Sequence, residues 1–194
     1  MQRPVRVTAP AAVPVSLSEA KAHLRVEHTD DDAIIGRIVD AAVGHLDGWS
    51  GVLGRCLVTQ TWRVSFRDFD GRMLRLPFAD VSAIEAVVYR DADDVEQTVD
   101  PSDYALNEDA QGSYLFMSAG FDRPAVFHRP DAVTVRFVAG YGDATAVPAA
   151  LKAAMLLHIG HMYENRESVV IGQSVTGLPM AYDALVAPYR VRRF

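Results

Sequence analysis

Apolar residues recur at helical spacing over residues 17–53, alternate with polar ones over 57–139, and return to helical spacing over 148–167. The change of period from 3.6 to 2 and back predicts helices, then strands, then helices. The last stretch carries the strongest signal. Leu151, Ala154, Met155, His158, Ile159 and Met162 fall on one face of a helix. Pro148 suits its first position, where a missing N–H leaves no partner wanting.

Nearer the start, Ser16-Leu17-Ser18-Glu19 is a capping box. The Ser16 hydroxyl can accept from the Glu19 N–H while the Glu19 carboxylate accepts from the Ser16 N–H. A short helix through Leu17, Ala20 and Leu24 follows, ending near Val26. Asp30, Asp31 and Asp32 then offer a cap and negative charge to a second helix. Its apolar face reads Ile35, Ile38, Val39, Ala42, Leu46, Trp49 and Leu53. Gly36, Gly44 and Gly48 weaken that helix by about 1 kcal/mol each relative to Ala, which predicts that another backbone lies close against it. Residues 1–15, rich in Pro and Ala without periodicity, predict an extended arm.

In the middle stretch, Val58, Gln60, Trp62, Val64 and Phe66 face one way and Thr59, Thr61, Arg63 and Ser65 the other. Further strands are predicted at 73–76, 81–90, 104–107, 113–117 and 132–139, separated by turn signals such as Asp70-Gly71, Asp100-Pro101 and Arg129-Pro130. Hairpins at this spacing predict a small antiparallel module, curled or sandwiched. The fold class is α+β, one domain over residues 1–194. N-terminal helices occupy 1–56, a β insertion 57–140, a core helix 147–167, and a loop with a flexible C-terminal tail 168–194.

With 49% hydrophobic and 23% charged residues among 194, the chain can bury a core of ordinary size. No apolar run of about 18 residues is present, so no membrane-spanning helix is expected. Residues 1–15 lack the apolar core of an export signal, which points to a protein kept in the cytoplasm. The single cysteine, Cys56, excludes an internal disulfide and a cysteine-built zinc site.

Charge changes the picture more. The net value is −6, yet residues 91–109 hold eight acids and no Lys or Arg, so the remainder stands at +2. Such a stretch predicts a solvated β loop, or a surface that repels nucleic acid or meets a basic partner. The chain ends the other way: Tyr189, Arg190, Arg192, Arg193 and Phe194 mix the residue types that anchor interfaces.

Candidate chemistry is sparse. His158 and His161 are neighbours on a helix, with Glu164 three residues on, and the alternative function is a metal-dependent hydrolase or nuclease built on them. Against it, His158 lies on the buried stripe, and Ile159 stands where the zincin pattern needs its glutamate. Cys56 follows Arg55 but has no helix N-terminus or local histidine to make it a nucleophile. No G-x-S-x-G, Walker A or G-x-G-x-x-G occurs. No catalytic residue, metal or cofactor is expected, and no enzyme.

A resemblance goes further than these patterns. Leu17-Ser18-Glu19-Ala20-Lys21-Ala22-His23-Leu24-Arg25-Val26, followed by Asp31-Asp32 and Ile35, resembles the opening of phage head–tail connector (adaptor) proteins. Gly54-Arg55-Cys56-Leu57-Val58-Thr59-Gln60-Thr61-Trp62 is similar to their helix-to-sheet junction. Ala139-Gly140-Tyr141-Gly142 with Val147-Pro148, then Tyr163-Glu164-Asn165-Arg166-Glu167, then Pro188-Tyr189-Arg190 continue the likeness in order. Within the family it is most similar to the adaptors of gene transfer agents, phage-derived particles of alphaproteobacteria. Seventeen Arg against two Lys suits a GC-rich genome of that kind.

The resemblance implies a structural component made in the bacterial cytoplasm and assembled at the head–tail junction of a phage-like particle. Its partners would be itself, in a ring of about twelve copies closed by rotation, the portal protein, and a tail-terminator or stopper protein. Helices would form the ring body, and Tyr189, Arg190, Arg192, Arg193 and Phe194 would dock on the portal. DNA would pass through without sequence-specific binding, and no membrane would be involved. Asp91, Asp93 and Asp94 are the candidate channel-facing acids, because negative charge lets DNA slide without sticking.

Overall fold

A computed structural model describes residues 1–69, 71–165 and 180–191. In chain order the elements are β1 (Val5–Thr8), α1 (Leu17–Leu24), α2 (Asp32–Leu46), β2 (Gln60–Phe66), β3 (Met73–Arg75), β4 (Val81–Arg90), β5 (Glu96–Thr98), β6 (Tyr104–Asp109), β7 (Gly112–Met117), β8 (Val133–Ala139), α3 (Ala149–Glu164) and α4 (Met180–Val186). The class is α+β, with antiparallel strands inserted between helices. Two compact units result. Met1–Ala11 and Thr59–Tyr141 form a β unit, and Ala12–Val58 and Gly142–Val191 a helical unit.

The β unit holds a five-stranded sheet in the order β1-β2-β8-β4-β5 and a three-stranded sheet in the order β3-β7-β6. The period-2 pattern read in β2 sets its register. Trp62, Val64 and Phe66 stand opposite Phe137, Val135 and Val133 of β8, and all six are buried. Burying one such side chain contributes roughly 1.5–3 kcal/mol, so this strand pair is the centre of the unit's stability. Phe78 closes over it, with ring centroids 5.0 Å from Trp62 and 6.2 Å from Phe137. The three-stranded sheet contributes Leu74, Leu115 and Met117 to the buried set.

Two strands depart from the expectation. The N-terminal arm is extended, but Val5–Thr8 is paired, with Val5 opposite Arg63 and Arg6 opposite Trp62. Four residues are too few to show a period, and the partner that orders them lies more than fifty residues away. β5 falls inside the stretch whose charge predicts a solvated acidic loop. Its Glu96, Gln97 and Thr98 are all exposed, and backbone pairing to β4 alone makes them a strand.

In the helical unit the capping box forms as read. The Ser16 N–H donates to Glu19 Oε2 at 2.7 Å, and the Glu19 N–H to Ser16 Oγ at 3.2 Å. The acids ahead of α2 do something different from capping. Asp31 stands at the N-cap position without a side-chain cap bond. Its carboxylate accepts from the Tyr163 hydroxyl of α3, and Asp32 pairs with Lys21 of α1 at 2.5 Å. These acids join helices to one another.

The helix itself stops at Leu46, although the apolar spacing runs on to Leu53. A side chain at Gly51 would put its Cβ 2.3 Å from the Leu46 carbonyl oxygen, so the chain folds back where only glycine fits. Leu53 is fully buried, but in the turn and not on the helix. At Gly36 and Gly44 the expected close approach is not made by any described residue: none lies within 4 Å of a Cβ built there. Gly44→Ala should therefore stabilise the protein by about 1 kcal/mol, read as a higher urea midpoint with an unchanged slope.

Candidate functional site

The strut of the helical unit is α3, which packs against α1, α2 and α4. Leu151, Ala154, Met155 and Ile159 are its buried residues, as the spacing required, while His158 and Met162 are half-buried. α4 meets it through Tyr182 and Val186, both buried. The chain then makes a short 3-10 turn at Ala187–Tyr189. Arg55 Nε donates to the Tyr189 carbonyl at 2.9 Å, and the Val191 N–H to the Leu53 carbonyl at 2.9 Å. Arg190 pairs with Asp183 at 3.1 Å. Tyr189 and Arg190 are thus tied to the helical unit. Arg192, Arg193 and Phe194, the rest of the expected docking tail, lie outside the described residues, as does most of the expected loop before α4.

His158 packs among rings. Its centroid lies 5.2 Å from His45 on α2 and 5.5 Å from Tyr182 on α4, both edge-on. Its buried Nδ1 and the Tyr182 hydroxyl have no hydrogen-bond partner among the described residues. His161 faces Asn165 and Glu164 is exposed. Among the described residues no group of three His, Cys, Asp or Glu is arranged to hold a metal. The residues of the metal-dependent alternative are therefore not brought together as ligands; His158 is packing.

This cluster has a pH consequence. Burial lowers the His158 pKa below 6.5, and the neighbouring His45 and His161 lower it further. Burial raises that of Tyr182, so the phenol stays neutral. The unfolded chain then binds a proton at His158 more readily than the fold does. Stability is complete above about pH 6.5 and falls as the pH drops from there through the folded pKa. The urea midpoint should decline as the pH falls below about 6.5, and His158→Phe should flatten that decline.

The acids of the β4–β5 turn divide by role. Asp91 builds the turn: one carboxylate oxygen accepts from the Asp93 and Val95 N–H groups at 3.0 Å, the other from Gln97 at 2.8 Å. Gln97 above all, then the Val95 N–H, hold its carboxyl below the usual range. Asp94 takes a left-handed φ of 60° and lies 3.5 Å from Arg129. Asp93 is exposed and makes no ion pair among the described residues. Sequence reading found the charge but not this division, and it missed Arg55 as the clasp of the C-terminal segment.

No family model matches the chain, and no match emerges among curated protein sequences. Solved structures do match. A chain from the neck of an empty gene transfer agent particle, computed with C6 symmetry, superposes with a TM-score of 0.79 at 24% identity. A chain from the virion of a native gene transfer agent particle gives 0.77 at 24%, and one from the native neck computed with C12 symmetry gives 0.70 at 21%. Each match covers 100% of this chain and 97% of the other. The fold of the described residues is the fold that these particle chains share.

Proposed function

We propose that this chain is a head–tail adaptor of a gene transfer agent-type particle: a structural protein, present in several copies as a ring between portal and tail, through which DNA passes. One observation carries the reading. The likeness to neck chains spans both chains almost completely, so it takes in the paired N-terminal arm, the β insertion and the C-terminal clasp together. A shared helical core alone would leave those parts unmatched. The resemblance in the sequence motifs supports the same reading.

The C-terminal residues Tyr189, Arg190, Arg192, Arg193 and Phe194 are the portal-docking segment. Tyr189 and Arg190 sit at the clasp, so the residues beyond Val191 leave from a fixed point on the helical unit. A fixed origin lowers the entropy that docking must overcome.

Cells lacking the protein should accumulate DNA-filled heads and separate tails, and electron microscopy of particles carrying a tagged copy should place the tag at the neck. Normal particles without the protein would refute the reading. Removing Arg192, Arg193 and Phe194 tests the docking segment by itself. Every described contact of α4 and Val191 survives that truncation, so the thermal midpoint should hold. Joined particles should disappear and gene transfer should fall to background.

A further inference from the structure

Two arginines face each other across the central strand pair of the five-stranded sheet. Arg63 of β2 and Arg136 of β8 are register partners, and both are exposed. Cross-strand partners hold their Cβ atoms about 4.5–5.5 Å apart, and like charges there oppose the pairing. One acid offsets this in part. Glu85 accepts from Arg136 Nε at 2.6 Å and from the Thr61 hydroxyl at 3.0 Å. Arg63 makes no ion pair among the described residues, and neither does Arg3, which is also exposed. The Gln2 N–H donates to the Ser65 carbonyl at 2.7 Å, which lays Arg3 beside the same stretch of β2. Pro4 is buried between exposed Arg3 and Val5, and Val5 stands opposite Arg63, so Arg3 shares the outward face. Arg67 and Asp68, next along the chain, cancel in charge. The face thus sets the guanidinium groups of Arg3, Arg63 and Arg136 against the single carboxylate of Glu85.

What surrounds these charges is small and hydroxylated. Ser65 and Thr134 are the next outward pair, with hydroxyl oxygens 3.0 Å apart. Two hydroxyls joined by one bond use one proton and keep the other to donate. Val5 and Ala86 flank the arginine pair, and Val88 follows Thr134. No aromatic residue belongs to either row. Contacts between proteins are anchored by aromatic residues at a desolvated centre. Arginines and hydroxyls without such a centre are the groups that meet phosphate oxygens.

We infer that this outward face of β1, β2 and β8 contacts the phosphate backbone of DNA. A phosphate seated between Arg63 and Arg136 supplies the negative charge that Glu85 alone does not, and it removes the repulsion between the two strands. Arg3 and the Ser65–Thr134 hydroxyls meet the neighbouring phosphates. Phosphate contacts carry no sequence information, so the binding is independent of sequence and strongly dependent on salt. The inference rests on the adaptor reading only for the source of the DNA.

The purified full-length protein tests the chemistry. Fluorescence anisotropy of a labelled duplex of about 20 base pairs should report binding at about 20 mM salt, falling as salt rises with a logarithmic slope of about −2 to −3. Arg3→Gln with Arg63→Gln should lower the affinity about tenfold or more and flatten that slope by about 2. Arg123→Gln, exposed on the loop before β8, should change neither, and nor should scrambling the duplex sequence. No binding at low salt overturns the inference. So does a poly-glutamate chain that competes as well as a duplex of equal charge, since the face would then suit an acidic protein. Filled particles give a second measurement. Cys56 is fully buried and does not react. Val5→Cys keeps every arginine and places a photo-crosslinker at a 49% exposed position opposite Arg63. It should attach to DNA, whereas the same group at Phe116→Cys on β7 should not. Adducts to protein alone at Val5→Cys overturn the DNA contact and leave the adaptor reading standing. A chain that never enters particles overturns the adaptor reading, and the purified protein still decides the contact.

Discussion

Phe137→Ala is expected to cost about 3–5 kcal/mol. Phe137 is fully buried on β8, the strand held between β2 and β4. It stands opposite Trp62 on one side and Ile84 on the other, and its ring meets that of Phe78. Truncation leaves a cavity that cannot collapse, because hydrogen-bonded neighbours on both sides fix the backbone of β8. Against a total stability of typically 5–15 kcal/mol, such a loss is large. The urea midpoint should fall sharply, and the near-ultraviolet signal of Trp62, whose ring packs on Phe78, should weaken. Phe116→Ala is the control. That ring lies 41% exposed on β7, and its loss should change stability by less than about 0.5 kcal/mol. Equal losses at the two positions would mean that the buried strand pair is not the centre of the unit.

How much of this was legible in the sequence depends on where each element finds its partners. β8 buries alternate residues, and β2 does so from Trp62 onward, so their period of 2 is written in their own composition. The sequence predicts β4 at its observed bounds, 81–90, since apolar residues fill most of it. The capping box at Ser16 and the buried stripe of α3 are likewise local. β5 buries nothing: Glu96, Gln97 and Thr98 are ordered by pairing with β4, and no hydrophobic pattern could announce them. β1 is similar, since its order comes from an open edge of β2.

The overrun of α2 has the opposite cause. Leu53 continues the apolar spacing because it is buried, but burial says nothing of whether the residue is helical, and Gly51 had already turned the chain. At the candidate site, residue types were readable and occupancy was not. Eight acids in residues 91–109 were plain, whereas the spending of Asp91 on turn N–H groups and the freedom of Asp93 depend on backbone geometry. Arg55 gave no signal because its acceptor, the Tyr189 carbonyl, lies 134 residues away.

Tyr182→Ala should release the C-terminal segment without unfolding the remainder of the helical unit. α4 has seven residues, too few to be helical by themselves, so its order comes from what its two buried side chains touch. Tyr182 is 1% exposed and packs against His158; its loss should lower the local opening free energy by about 3–5 kcal/mol. Backbone amides of residues 180–191 should exchange much faster, while those of α2 and α3 keep most of their protection. The bonds from Arg55 to Tyr189 and from Val191 to Leu53 would open with α4, so the docking segment would lose its fixed origin. Joined particles should then become scarce although the protein remains folded. Tyr182→Phe separates packing from polarity. The hydroxyl has no partner among the described residues, so the ring alone should hold α4 to within about 1 kcal/mol. If the Ala variant exchanged residues 180–191 no faster than the parent, α4 would be anchored by something other than this aromatic contact, and the clasp would not depend on it.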